Sequence, residues 1–264
     1  MSINQAPLFI SHGAPDLAIT DNPAARFLKK IIIGKPKPAG IVIVSAHWET
    51  RGLAITTASE LQTLHDFEGF GRELYTIEYP AHTSAWLIDS VASQLSESGI
   101  EIHQDPYRGL DHGAWIPLRL MLPDASVPVV QLSLDCDRSR DELFELGQSL
   151  APLTHNNILV IGSGASVHNL WHMAPEGSPT PDWADQFERW LTKTIADCDW
   201  PGLCNFTNFD IGSIAHPTQE HLLPLIFAAG ASSVAGKVVV PRQLHSGFCY
   251  GSIGMSSWEF DWSA

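Results

Sequence analysis

Two runs, GIVIVSA at residues 40–46 and NILVIGSG at residues 157–164, are apolar at nearly every position instead of alternating with polar residues. Short, continuously apolar and β-branched runs of this kind are what strands covered on both faces require, as in a parallel sheet sandwiched between helices. Further strands are expected at residues 7–11, 53–57, 101–103, 127–134 and 237–240. Helical spacing of apolar residues falls between them, at residues 24–33, 83–98, 114–121, 138–150, 183–197 and 218–229. Strand and helix in alternation predict an α/β fold with one layered sheet. Residues 49–66 and 238–260 add strands or hairpins that should make the sheet mixed. No linker, repeat or low-complexity tract divides the chain, so residues 1–264 are expected to form a single catalytic domain.

The chain's 264 residues carry 15 Lys+Arg against 29 Asp+Glu, a formal net charge of −14. An acidic surface of this size opposes binding to nucleic-acid phosphates and to anionic membranes. The apolar share of 44% is that of a chain able to bury a sizeable core. The stretch 222–236 is too short and too rich in small residues to span a bilayer. The amino terminus lacks the charged and apolar regions of a secretory signal. The four cysteines form no C-x-x-C pair. Together these features predict reduced thiols in a cytoplasmic protein.

The 12 histidines are the outlier, and their placement says more than their number. His12 follows PLFIS, His47 follows GIVIVSA, and His168 comes shortly after NILVIG. All three therefore stand just past the carboxyl ends of apolar strands, the edge where open α/β sheets bind ligands. His112 lies in DHGAW, an Asp-His-Gly turn opening a helix, and His221 lies in HPTQEHLLPL, expected on the first turn of a helix capped near Thr218. Any one of these could be an ordinary packed or surface residue. Five at strand ends and turns favour a metal site, with Asp111, Glu220, Asn169 and Ser45 as candidate hydrogen-bond partners for the rings. Trp48, Phe67, Phe70 and Trp115, with His65, adjoin the candidate histidines and could wall a pocket for a flat substrate. Competing motifs are weaker. Residues 162–166, GSGAS, lack the spacing of a dinucleotide fingerprint, the lysine of a P-loop and the G-x-S-x-G of a nucleophile elbow. Cys249 near His245 has nothing to complete a nucleophile argument.

Eight segments in register carry a family resemblance: FISHGAP, VIVSAHWETRG, LHDFEGF with YTIEYPA, DHGAWIPL, PVVQLSLD, GSGASVHNL, PTQEHLLPL and GSIGMSSWEF. From about residue 7 to residue 260 the chain resembles the class III extradiol ring-cleavage dioxygenases, in the 4,5-DOPA dioxygenase extradiol-like branch. The resemblance implies a single αβα-layered domain with a mixed central sheet and one divalent metal per subunit. It implies metal-ligand positions at His12, His47, His168 and His221. His168 also matches a position used for acid–base work, and Glu220 competes with His221 for the third ligand place. His112 matches an active-site histidine that contacts substrate or dioxygen, which makes His112 and His168 the catalytic candidates. Trp48, His65, Phe67 and Trp115 are the substrate-binding candidates. The chain departs from the branch at Ala14, at His82 and Thr83 after Tyr79-Pro80-Ala81, at Ala165 and Ser166, and at His216 before Pro217-Thr218. These changes fall in pocket loops and bear on the substrate more than on the chemistry.

The implied reaction is metal-dependent insertion of O2 into a catechol such as DOPA, giving a muconic-semialdehyde-type product. Three ligands on one face leave room for a chelating diol and O2, which favours His12, His47 and His221 with His168 held in reserve. Fe(II) is expected for turnover, and Zn(II) in the isolated protein because an all-imidazole set suits it and its intrinsic affinity is higher. Two other functions are consistent with the same histidines: a zinc-dependent hydrolase of a small amide or ester, and a non-catalytic metal-binding partner protein. The expected partners are a small aromatic catechol and O2, with neither nucleic acid nor membrane, and a homo-oligomer is compatible with the sequence.

Overall fold

A computed structural model describes residues 3–263. Its centre is an eight-stranded mixed sheet of β1 (Leu8–Ser11), β2 (Gly40–Thr50), β3 (Ala54–Thr56), β4 (His103–Asp105), β5 (Val129–Asp135), β6 (Ile158–Gly164), β7 (Val239–His245) and β8 (Ser257–Trp262). The strand order is β4-β3-β5-β2-β6-β1-β8-β7. The central strands β5, β2, β6 and β1 run parallel. Antiparallel pairing of β3 with β5 and of β8 with both β1 and β7 makes the sheet mixed.

The continuous apolarity of β2 follows from its two covered faces. Ile41 and Ile43 join the core cluster under α1 (Pro23–Leu28) and α3 (His112–Met121), which includes Leu28, Trp115 and Leu118. Val42 and Val44 face the other way, against Leu87 and Val91 of α2 (Ala85–Glu97) and Leu143 and Leu146 of α4 (Arg140–Leu150). Each such side chain contributes about 1.5–3 kcal/mol by leaving water. Phe187, Leu191 and Ile195 of α5 (Asp182–Ala196) and Leu225 and Ile226 of α6 (Leu223–Ala231) cover Phe9, Trp258 and Phe260 on that second face. The outcome is an αβα layering. Helix α4 begins at a reciprocal capping box between Ser139 and Glu142, worth about 1 kcal/mol.

Several boundaries differ from the expectations. Helix α6 starts at Leu223 and not near residue 218, so His221 lies in a turn before the helix. Pro224 is the reason: extending the helix backward would drive its ring into the carbonyl of residue 220 and leave that acceptor without an N–H. Helix α1 closes at Leu28 and β4 begins two residues later than expected, at His103. Strand β2 runs on to Thr50 through a register break against β5 between Val44 and Glu49. No described helix is long and apolar enough to cross a membrane.

Candidate functional site

Parallel strands deliver the first two histidines to one edge of the sheet. Ser11 of β1 pairs with Gly164 of β6, and Ser45 of β2 pairs with the neighbouring Ser163. His12 and Ser45 are therefore brought level on either side of β6, and the register break of β2 against β5 lets His47 turn into the space beyond His12. Gly113 of α3 comes so close that a Cβ there would collide with Ser45 Oγ and lie 2.9 Å from His47 Cδ2 and 3.0 Å from His12 Cε1. Glycine is required by this approach. His221 arrives from the turn before α6, whose carbonyl accepts from Ala165 N–H at 2.9 Å. A Cβ at Gly164 would strike that same carbonyl.

His12, His47 and His221 each offer a ring nitrogen, and the three atoms lie within 4.8 Å of one another. The tautomers follow from the outer partners. Pro117 has no N–H to give the Gly113 carbonyl four residues earlier, so that carbonyl accepts the Ser163 hydroxyl. Ser163 Oγ, its proton so committed, accepts from His12 Nδ1–H at 3.0 Å. His12 Nε2 is thereby left with a lone pair, aimed at His47 Nε2 only 3.1 Å away. His221 Nδ1 donates to Glu220 Oε1 at 2.9 Å, which leaves its Nε2 as a lone pair too. Burial, and then the neighbouring imidazoles, hold His12 and His221 well below the usual histidine range. Burial also brings His47 down to about 4. The bare nitrogens of His12 and His221, converging on the ring nitrogen of His47, offer a cation a ready set of neutral donors. Two nitrogens bound at right angles to one ion at ~2.1 Å stand about 3 Å apart, which the His12–His47 separation matches. The donor set fits one divalent metal.

His112 is the first residue of α3, beside this cluster, its ring centroid 3.9 Å from that of His47. Asp66 Oδ1 accepts from both its backbone N–H, at 2.9 Å, and its Nδ1–H, at 3.0 Å. Burial works against the Asp66 carboxylate, but these bonds and the His112 charge hold its pKa at about 2. Asp66 is thus an acceptor at neutral pH, and the bond fixes His112 Nδ1 as a donor. Asp111, expected to orient a histidine ring, does not do so. Its fully buried carboxylate caps α3 through Ala114 N–H and takes bonds from Ser45 Oγ, Arg108 and Gln131, tying helix to sheet. Ser45 in turn accepts from the His47 backbone N–H, at 3.3 Å, and not from a ring. Asn169 caps the turn at Leu170–His172 and donates to the Ile214 carbonyl.

The ring of His168 stacks on that of His221, centroids 3.4 Å apart and planes 9° from parallel. Its pKa is lowered by burial to about 4. With Glu220 and His221 it makes a second set of mutually close ligand atoms, so geometry allows it near the metal without making it one of the central three. The two loops are stitched together by His168 N–H to Ala215 O, at 3.0 Å, and by His216 Nε2–H to Ser166 O, also 3.0 Å.

These histidines floor a cavity of about 560 Å³ walled by Phe67, Phe70, Leu170, Trp171 and Met173. Phe67 and Phe70 stand where the sequence suggested. The other three substrate-binding candidates lie off the cavity wall. Trp48 follows His47 in a strand, so alternation sends it to the opposite side, where Arg108 sits 5.3 Å above its ring. Trp115 is fully buried and donates from Nε1 to Leu64 O. His65 donates to Ile77 O and packs edge-on against Phe67, behind the wall. Sequence inspection missed Asp66, Ser163, Pro117, His216 and Trp171. Asp66 carried a weak signal, an acid beside the singled-out His65; the others owe their roles to contacts across the fold.

The family described as catalytic LigB subunit of aromatic ring-opening dioxygenase matches residues 8–256. The chain is 36% identical over 268 residues to 4,5-DOPA dioxygenase extradiol of Escherichia coli (strain K12), covering 97% of this chain and 95% of that protein. It is also 36% identical, over 259 residues, to 4,5-DOPA dioxygenase extradiol of Beta vulgaris, covering 96% and 95%. A crystal structure of an uncharacterized protein from Escherichia coli K12 superposes with a TM-score of 0.81 at 32% identity, covering 97% of this chain and 100% of that one.

Proposed function

The chain belongs to the family of the catalytic LigB subunit of aromatic ring-opening dioxygenases, and on that premise we propose that it opens a catechol such as DOPA at a metal held by His12, His47 and His221. The observation that carries this is the convergence of three imidazole nitrogens, two of them with lone pairs left bare by their outer partners Ser163 and Glu220, next to an Asp66-backed His112 in an aromatic cavity. The chemistry that ferrous iron supplies when bound is electron transfer between a chelated diol and triplet O2, which otherwise react too slowly.

The residues of the chain do the rest. Phe67 and Phe70 bind the flat ring and exclude water from it. His112 Nε2 accepts the proton of one catechol hydroxyl, and the Asp66 carboxylate stabilises the imidazolium so formed. The same nitrogen returns that proton as the ring opens. In the balanced reaction one ring C–C bond beside the diol breaks and both atoms of O2 enter the product, one as aldehyde and one in the new carboxylate. His168, neutral and stacked on His221, serves as a second proton carrier or as an alternative ligand when substrate is away. Glu220 orients His221, its Oε1 accepting from that ring and from the Thr218 hydroxyl. Zinc is expected in protein as purified, for the affinity reason above. The four free cysteines support a reducing, cytoplasmic setting.

Anaerobic loading with Fe(II), followed by O2 uptake on a catechol panel, tests the assignment. His12→Ala, His47→Ala and His221→Ala should lose metal, whereas His112→Ala should keep metal and lose turnover. Equal metal content in all four variants would overturn the roles. Zinc-dependent ester hydrolysis with no O2 uptake on any catechol would overturn the reaction.

A further inference from the structure

The cavity mouth carries charge of one sign. Among the described residues lining it, the charged side chains are Glu68 and Glu220, with no lysine or arginine. Glu220 is engaged by His221 and Thr218. Glu68 is exposed and directly follows the wall residue Phe67. The side of the mouth formed by Leu170 and Trp171 exposes them by 60% and 82%, an unusual display of apolar surface. A neighbouring hollow that shares Gly13 and Ala14 is lined by Asp16 and Glu176, which deepen the negative potential there, and by Asp21, which Arg26 pairs. Carboxylate and exposed indole around one opening are the components of ammonium recognition, by Coulomb attraction and by the face of the ring. A ligand carboxylate would meet no cationic side chain on this wall.

We propose that Glu68 and Trp171 form a cation subsite at the cavity mouth, so that the preferred substrate is a catechol whose side chain bears a protonated amine and no carboxylate. This rests on the catechol-cleaving function above and names its substrate class. Glu68 acts on specificity and takes no part in bond breaking. The preference is electrostatic at an exposed position, so it should weaken as salt rises.

The test compares kcat/KM of the Fe(II)-loaded enzyme on four 4-substituted catechols: aminoethyl, its α-carboxylated zwitterion DOPA, uncharged ethyl, and anionic carboxyethyl. Aminoethyl catechol should be best and carboxyethyl catechol worst, with a span of about tenfold at low salt that shrinks at 0.5 M NaCl. In Glu68→Gln the ratio of efficiencies on aminoethyl and ethyl catechol should fall by about fivefold, and Trp171→Leu should lower it by a smaller factor. Binding of aminoethyl and carboxyethyl catechol to the zinc-loaded protein without oxygen, by calorimetry, gives the same order independently of turnover. A best substrate that is anionic, or an unchanged aminoethyl-to-ethyl ratio in Glu68→Gln, overturns the subsite. Absence of turnover on all four with the binding order intact overturns the reaction and leaves the subsite standing.

Discussion

Replacing Asp66 by Asn isolates the electrostatic part of the proton-transfer machinery. The amide oxygen can still accept from the His112 backbone N–H and from Nδ1–H, now 2.9 and 3.0 Å from Asp66 Oδ1. What disappears is the negative charge that faces the imidazolium formed when His112 takes a proton. Unit charges about 4 Å apart attract by about 4 kcal/mol at an effective dielectric of about 20. The Asp66 side chain is 25% exposed, and screening at such a site reduces the figure to about 2 kcal/mol. Because the substrate proton reaches His112 only during turnover, that loss falls on the barrier and should lower kcat about thirtyfold, with KM and metal content little changed. Asp66→Ala, which also frees the ring to rotate and change tautomer, should be worse than Asn. Rapid-mixing O2 uptake on the iron-loaded variants, with metal analysis of each sample, measures both quantities. A kcat for Asp66→Asn within twofold of the parent, alongside a crippled His112→Ala, would refute the pairing. Loss of metal in Asp66→Asn would show instead that Asp66 belongs to a ligand set with His47 and His112.

Three other perturbations probe the support of the histidine cluster. Pro117→Ala restores an N–H that competes with Ser163 for the Gly113 carbonyl, so thermal stability should hold or rise while zinc binds about fivefold more weakly; unchanged affinity in a chelator competition would refute the relay to His12. Glu220→Gln should weaken zinc by about tenfold to a hundredfold, since the carboxylate fixes and enriches the His221 ring; full retention of affinity would make Glu220 a bystander. Burial lowers His47, His168 and His216 to about 4 from an unfolded value near 6.5, so the unfolded chain binds more protons between those limits. The stability they confer is complete above pH 6.5 and lost as pH falls toward 4, about 2 kcal/mol each by pH 5. Metal-free protein should therefore melt at least about 5 °C lower at pH 5 than at pH 7.5, and a flat Tm would contradict the burial argument.

The layered sheet and the strand-end histidines could be read along the chain because both are local properties. Continuous apolarity in β2 and β6 reports two covered faces, and a histidine directly after such a run must emerge at the sheet edge. His12 needed nothing more, whereas His47 lies inside β2 and not past its end, and turns into the site only where the strand breaks register after Val44. His221 was found as a residue but misplaced on a helix, since Pro224 sets the start of α6 only once the turn before it is packed against Gly164. The pocket wall was half legible: proximity to a histidine identified Phe67 and Phe70, but neighbours in a strand point to opposite faces, and Trp48 went the other way.

The sequence alone therefore determined which histidines are candidates for one edge of the sheet, through strand periodicity and the position of His12, His47 and His168 relative to their runs. Tertiary structure decided which atom of each ring faces inward. Asp66 lies 46 residues from His112 and Ser163 lies 151 from His12, distances closed only by the parallel register of β1, β2 and β6 and the docking of α3. A tautomer is set by its hydrogen-bond partner, and a partner so far along the chain exists only after the fold has formed.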